Sequence, residues 1–248
     1  MKNNNKFRLD VWGAITLGTI ALYALFLLYP MAYLIRQSVL DPDTGSFTLA
    51  YFTKFFSKSY YFDTLINSFK VSITATVLSI AIGTPLAYLF TIFKIKGKSV
   101  LNILIVVASM SAPFIGAYSW ILLLGRSGII TTFFKNLGIA IPDIYGFGGI
   151  VLVMTLQLFP LVFLYAKGAL KNIDNSLIEA AENLGCSGIV CFFKVVVPLI
   201  MPTLLAAALL VFMRSFADFG TPMLIGEGYR TFPVVLYTEF INEVGGSD

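Results

Sequence analysis

Long uncharged apolar runs alternate along the chain with shorter segments that hold its charged residues. Five runs contain no Asp, Glu, Lys or Arg, and they cover residues 11–35, 71–93, 99–125, 144–166 and 195–213. A helix needs roughly 20 apolar residues to cross a hydrocarbon core of about 30 Å, so each run is a candidate membrane span. Because backbone amides in lipid must be satisfied within their own segment, these runs favour helices. The pattern predicts an all-α, polytopic membrane protein.

The composition supports this prediction and removes several classes of function. The 248 residues are 58% hydrophobic and 12% charged, which excludes an ordinary soluble or nucleic-acid-binding domain despite the net charge of +4. The sequence contains no histidine, so catalysis built on an imidazole base is excluded. The apolar runs also lack carboxylates and lysines, which argues against a membrane-embedded enzyme. Cys186 and Cys191 are expected to be reduced thiols rather than a disulfide framework.

The distribution of basic residues predicts the orientation. With the N-terminus in the cytoplasm, residues 1–10, 94–98 and 167–194 lie inside and carry nine Lys or Arg in 43 residues, against eight in 88 residues outside. Short loops near spans are richer in Lys and Arg on the cytoplasmic side, so the N-terminus is predicted to be cytoplasmic. The first run is too long for a signal peptide and is expected to remain as a span.

The end of the chain is expected to be incomplete as a membrane domain. After the fifth run, residues 232–241 are apolar and aromatic but too short to cross a bilayer. We therefore expect a sixth span, or a second half of the protein, to lie beyond Asp248.

The segment between the fourth and fifth runs, residues 167–194, is predicted to form two short helices. Ser176 and Glu179 have the spacing of a capping box, in which each side chain satisfies a free amide at the start of a helix. Gly185 is the expected end of this helix, and Ser187 can cap the next one. Considered by itself, the segment is equally consistent with a plain amphipathic loop at the membrane surface.

A longer pattern in this segment resembles a known family. Glu179, Ala180 and Ala181 are followed by Gly185 after three residues, and then, after nine more, by Val195, Val197 and Pro198. This spacing resembles the EAA motif of permeases of ATP-binding-cassette (ABC) importers, which ends in Ile-x-Leu-Pro, so two valines replace Ile and Leu. The Asn67-Ser68 pair and the stretch 83–88 are similar as well.

The resemblance implies the bundle of type I (MetI-like) ABC importer permeases, in the bacterial inner membrane. It implies that residues 179–185 form a coupling helix that docks on a cytoplasmic ABC ATPase dimer. It also implies a periplasmic or lipid-anchored substrate-binding protein and a second permease half, whether fused, identical or paralogous. The chain has no G-x-x-x-x-G-K-[ST] motif, so ATP and Mg are expected on the partner ATPase, and no enzyme activity or cofactor is expected in this chain.

The substrate prediction depends on residues 214–226, after the fifth run. This stretch resembles permeases of ferric iron importers, and related importers of spermidine or putrescine, 2-aminoethylphosphonate, or sulfate share much of it. Arg214 and Asp218 are four residues apart, so on a continuing helix they would pair, and they are candidates for an ion pair or a periplasmic gate. A passive channel or a membrane scaffold remains the alternative class of function.

Overall fold

The computed structural model describes residues 11–41, 44–93, 96–110, 112–186 and 188–244. Regular structure in these residues is helical, apart from an isolated β-bridge between Leu40 and Phe47. The helices are α1 (Val11–Val39), α2 (Ala50–Ser57), α3 (Ser59–Ile92), α4 (Lys98–Ser109), α5 (Pro113–Leu124), α6 (Ile129–Asn136), α7 (Phe147–Lys171), α8 (Asn175–Asn183), α9 (Gly188–Ala217), α10 (Gly220–Ile225) and α11 (Phe232–Val244). The predicted all-α fold is confirmed.

Five stretches of the described chain are long and apolar enough to cross a membrane. They are α1, α3, α7, α9 and the stretch Phe114–Asn136, which contains α5 and α6. Helices α1 and α9 each include one π-helical turn, at Ala24–Leu28 and Phe192–Val196. The number of candidate spans matches the prediction, although their bounds differ.

The third predicted run, residues 99–125, is two helices rather than one. Helix α4 ends at Ser109, and Ala112 has extended backbone angles (φ −69°, ψ 141°) before Pro113 opens α5. A residue that precedes proline avoids the helical region because the proline ring clashes with it, whereas proline itself fits the first helical position. Apolar length alone could not reveal this break.

The described residues up to Phe62 form the first of two compact units. Within it, none of the most apolar stretch of α1 is buried. A short turn follows, in which Thr48 N–H donates to the carbonyl of Val39 at 2.9 Å, and α2 and the first turn of α3 complete the unit. A helix that is apolar all round is normally surrounded by lipid or by other protein segments, and α1 therefore fits a membrane span.

The described residues from Asp63 onward form the second unit, and α7 lies at its centre. Helix α7 contacts α4, α5, α9 and α10, and it contributes more buried apolar side chains than any other described helix. The fully buried side chains with the largest volumes include Phe163, Ile150 and Met154 on α7, together with Ile200 on α9 and Ile225 on α10. Pro160 lies inside α7 without ending it.

Helices α3 and α7 approach closely at Gly83. A Cβ atom at this position would lie 2.9 Å from both the carbonyl oxygen of Phe159 and the Cβ of Val162. The rings of Phe90 and Phe163 meet edge to face at 5.2 Å beside this contact. Small residues permit such close helix packing in membranes, so the glycine in the predicted stretch 83–88 has a packing role.

Candidate functional site

The connection between α7 and α9 forms a compact helical projection. Helix α7 continues to Lys171, and α9 begins at Gly188, so much of the predicted loop 167–194 belongs to the long helices. Between them lies α8, and it contacts the π-helical turn of α9. The two predicted short helices are therefore one separate helix, α8, and the first turns of α9.

The N-terminus of α8 is capped differently from the prediction. The Oδ1 atom of Asp174 accepts the backbone N–H of Ser176 at 3.0 Å. Ser176 lies inside α8, so the predicted capping box of Ser176 and Glu179 is wrong. Aspartate is as good an N-cap as serine, and it precedes the helix start at Asn175. Hydrogen bonds from Ser176 to the carboxylate lower the pKa of Asp174.

The C-terminus of α8 ends at a glycine in the left-handed region. Gly185 has φ +85°, and the N–H of Cys186 donates to the carbonyl of Ala181 at 3.0 Å. This bond, five residues back, is typical of a helix end that closes on a left-handed glycine. Gly185 thus ends the helix, as its position in the sequence predicts. Ser187, the predicted cap of the next helix, lies outside the described residues.

The two faces of α8 have different surroundings. Ile178 packs against the buried core, and Ala181 is half-buried. In contrast, Glu179 and Ala180 are exposed, as are Leu177 and Leu184, the latter 89% exposed. Leu177, Ala180 and Leu184 follow the three- and four-residue spacing of one helix face. This exposed stripe with a carboxylate beside it is a surface that can enter a groove of a partner protein.

The second part of the predicted motif lies where α9 changes from a π to an α turn. Val195 is within the π turn Phe192–Val196, and Val197 and Pro198 open the α-helical part that follows. Beside it the ring of Phe192 lies 4.6 Å from that of Tyr88 on α3. The motif therefore extends from the exposed α8 into the part of α9 that α8 contacts, and α9 packs along α7.

Arg214 and Asp218 both line a cavity of about 490 Å³ at the opposite end of α9. The expectation of a continuing helix is wrong, because α9 ends at Ala217 and Asp218 has extended backbone angles. The Oδ1 atom of Asp218 accepts the N–H of Gly220 at 3.0 Å. Other polar residues of the cavity wall are Gln157 on α7 and Ser109 on α4, which sequence reasoning missed.

A cluster of charges that the sequence did not indicate joins three loops of the second unit. Arg126 pairs with Asp143 at 3.1 Å and with Glu227 at 2.9 Å, and its guanidinium carbon lies 4.7 Å from the centre of the Tyr145 ring. Beside it the N–H of Gly146 donates to the carbonyl of Ile225 at 2.8 Å. Asp143 is 17 residues and Glu227 is 101 residues from Arg126 in the sequence, so no local sequence pattern indicates these pairs.

Known proteins are similar to this chain over most of its length. The model of a family described as "Binding-protein-dependent transport system inner membrane component" matches residues 46–244. A putative ferric transport system permease protein of Haemophilus influenzae is 28% identical over 220 residues, covering 88% of this chain and 34% of that protein. A spermidine/putrescine transport system permease protein of the same organism is 29% identical over 249 residues, covering 96% of this chain and 85% of that protein.

A similar fold is present in a solved transporter structure. A chain of a bacterial alginate ABC transporter, crystallised with its alginate pentasaccharide-bound periplasmic protein, superposes with a TM-score of 0.72 at 16% identity, over 95% of this chain and 84% of that one. At this identity the similarity concerns the fold. The chain spans about a third of the length of the ferric permease relatives that it matches.

Proposed function

We propose a function for this chain on the premise that it belongs to the family of binding-protein-dependent transport system inner membrane components. The chain is then the permease subunit of a bacterial ABC importer, a multi-pass protein of the inner membrane. It provides the path for the substrate and couples that path to ATP hydrolysis on another subunit. Its N-terminus lies in the cytoplasm, which places α8 on the cytoplasmic side.

The exposed face of α8 is the observation that carries this proposal. A passive channel or scaffold has no need for a rigid projection that is fixed to the core through Ile178 and presents Glu179 and Ala180 outward. In the importer, this face docks in a cleft of the ATPase. Closure of the ATPase pushes α8, and α9 moves with it because α8 contacts the π turn of α9, the turn that contains Val195. Such movement of packed helices as rigid bodies is a common form of switching.

ATP and Mg are bound by the partner ATPase in this proposal. The nearest approach to a phosphate-binding loop in the sequence is Gly97-Lys98-Ser99, but Ile92 stands where that motif requires its first glycine. A cytoplasmic ATPase dimer, a substrate-binding protein on the opposite side and a second permease half complete the importer. The second half is fused, identical or paralogous to this chain.

Ferric iron is the substrate that we propose. The similarity to ferric transport permeases of two bacteria supports it, together with the ferric-type pattern in residues 214–226. Spermidine or putrescine is the second candidate, because a permease with that name is similar over 96% of this chain and 85% of its own length. In either case the cavity beside Arg214 and Asp218 lies on the proposed path, and the binding protein selects the substrate.

Uptake of radiolabelled ferric iron into cells tests the proposal. The cells express the gene with its neighbouring ATPase and binding-protein genes, and a matched strain carries an ATPase inactivated in its phosphate-binding loop. We expect iron to accumulate only with the active ATPase, and excess spermidine to leave the rate unchanged. Transport of spermidine instead of iron would reject the substrate but keep the importer, whereas uptake with the inactive ATPase would reject the importer in favour of a passive channel.

A further inference from the structure

The stretch of residues 50–62, here called the aromatic segment, has an unusual composition for a connection between two spans. Seven of its thirteen residues are Phe or Tyr, two are lysines, and none is acidic. It comprises α2, a single non-helical residue at Lys58, and the first turn of α3. All of it lies in the first compact unit.

The aromatic rings of this segment are ordered against one another and yet remain exposed. Phe55 stacks on Tyr61 across the break at Lys58, with ring centres 5.6 Å apart and planes 15° apart. Phe56 and Phe62 approach at 6.5 Å on the two sides of the same break. Five rings nevertheless remain between 40% and 59% exposed, namely Tyr51, Phe52, Phe56, Tyr60 and Phe62. Ring contacts thus order an apolar surface that the described residues of the first unit leave about half exposed.

Both ends of the segment adjoin candidate membrane spans. Before it, Thr48 bonds to Val39, the last residue of α1, and Leu40 pairs with Phe47, so the chain turns back immediately after α1. After it, α3 continues as the next candidate span. A helix fixed in this way lies where the chain leaves the hydrocarbon region. Aromatic rings are enriched at this level of a bilayer because they are apolar with a polar edge.

The two lysines give the surface a charge that selects one class of lipid. Lys54 and Lys58 are four residues apart at the end of α2, both are exposed, and the Nζ atom of Lys58 lies 5.7 Å from the centre of the Tyr61 ring. Lysines beside an anionic membrane surface are attracted to its phosphates, and long side chains can reach them while their carbon chains stay among apolar groups.

We propose that the aromatic segment is an interfacial anchor, which inserts its exposed rings at the headgroup level and binds phosphates of anionic phospholipids through Lys54 and Lys58. The anchor secures the chain at the point where α3 enters the bilayer. The anchor depends only on the chain being an inner membrane protein, as its family is, and does not depend on which substrate it transports. A soluble partner protein that covers the same rings is the competing outcome, and the experiment separates the two.

Fluorescence of a single tryptophan in the full chain tests the depth of the segment. Trp12→Phe and Trp120→Phe remove the natural tryptophans, and Phe56→Trp then reports on the segment, whereas Thr44→Trp reports on the preceding turn. In nanodiscs we expect lipids brominated near the carbonyl groups to quench Phe56→Trp at least twofold more than Thr44→Trp. Equal quenching of both variants by aqueous iodide would overturn the anchor, as would shielding of Phe56→Trp by added binding protein alone.

The same tryptophan tests the choice of lipid. Brominated phosphatidylglycerol titrated into phosphatidylcholine nanodiscs gives the relative affinity for the anionic lipid at residue 56. Adding Lys54→Gln and Lys58→Gln should lower this affinity about tenfold or more, because each lysine near an anionic surface contributes about fivefold. Lys54→Arg with Lys58→Arg should stay within about twofold of the parent. An unchanged affinity in the Gln pair would overturn the assignment of lipid phosphates to these lysines.

Discussion

The backbone N–H of Phe232 donates a hydrogen bond of 2.8 Å to the hydroxyl oxygen of Ser68, across 164 residues of sequence. The Ser68 hydroxyl in turn donates to the carbonyl of Thr64 at 3.1 Å, and the neighbouring Asn67 amide donates to the carbonyl of Arg230 at 3.1 Å. The bonds to Phe232 and Arg230 attach α3 to the start of α11 and to the loop just before it. The Asn67-Ser68 pair, which contributes to the family resemblance, therefore forms tertiary hydrogen bonds that hold α3 and α11 together.

Removal of the Ser68 hydroxyl should destabilise the fold, because the hydrogen bond between α3 and α11 is lost. Ser68→Ala leaves the part-buried amide of Phe232 without its acceptor, which costs about 1–3 kcal/mol when a buried polar group loses its partner. We expect the melting temperature of the purified chain to fall by several degrees. The exposed Ser57→Ala is the matched control and should change it little. A melting temperature of Ser68→Ala equal to that of Ser57→Ala would mean that the bond adds nothing to stability.

Gly83 should not tolerate even one methyl group. Gly83→Ala would place Cβ 2.9 Å from the backbone oxygen of Phe159, so α3 and α7 must separate, at a cost of about 1–3 kcal/mol. Gly18→Ala in α1 is the control, because its Cβ meets nothing within 4 Å. Since alanine favours helices over glycine, the control should be neutral or slightly stabilising. Thermal unfolding of both variants in detergent measures the difference, and equal melting temperatures would refute the close contact.

The left-handed glycine at the end of α8 should be required for coupling. Gly185→Pro forces φ near −65° where the structure has +85°, so α8 loses its C-terminal closure while the spans remain intact. We expect normal insertion into the membrane, and loss of most substrate-stimulated ATP hydrolysis in the reconstituted importer. Gly138→Pro, at another left-handed glycine (φ +76°) after α6, controls for general strain. Full stimulation of the ATPase by Gly185→Pro would contradict the assignment of α8 as the coupling element.

The exposed carboxylate of α8 should contribute to docking of the ATPase. Glu179→Lys reverses a charge on the outward face without touching the core, so folding should be preserved. We expect the ATPase to co-purify at least severalfold less with this variant. Glu239→Lys on α11, outside the proposed docking surface, tests whether any reversal of charge has the same effect. Undiminished recovery of the ATPase with Glu179→Lys would remove Glu179 from the interface.

The cap at Asp174 predicts a dependence of α8 on pH. Hydrogen bonds from Ser176 lower the pKa of Asp174 below its ordinary 3.8, so the folded state favours the charged carboxylate. The stabilisation is therefore present above the ordinary value and is lost as the pH falls through the lowered one. Hydrogen exchange of residues 176–179, corrected for intrinsic rates, should be constant from about pH 5 to 8 and rise in stronger acid. In Asp174→Asn this acid-dependent step should disappear, and its persistence there would assign it to another group.

Much of this architecture follows from local properties of the sequence. Uncharged runs of membrane-spanning length determined the helical class and the number of candidate spans, because an amide in lipid has to bond within its own helix, but the third span does not coincide with its run. The fixed spacing from Glu179 to Pro198 located the projecting helix, and Gly185 ended it because a left-handed turn favours a residue without Cβ.

Only the tertiary structure decided which residue caps α8, where α9 ends and which distant residues pair. Asp174 and Ser176 are both good caps, and the chain closes α8 on Asp174. On a continuous helix Arg214 and Asp218 would share one face, but α9 ends at Ala217 and Asp218 accepts the amide N–H of Gly220. The pairs of Arg126 with Asp143 and Glu227, and the bond from Phe232 to Ser68, join residues far apart in sequence. Their formation depends on how the helices pack, which hydrophobic periodicity and local spacing do not specify.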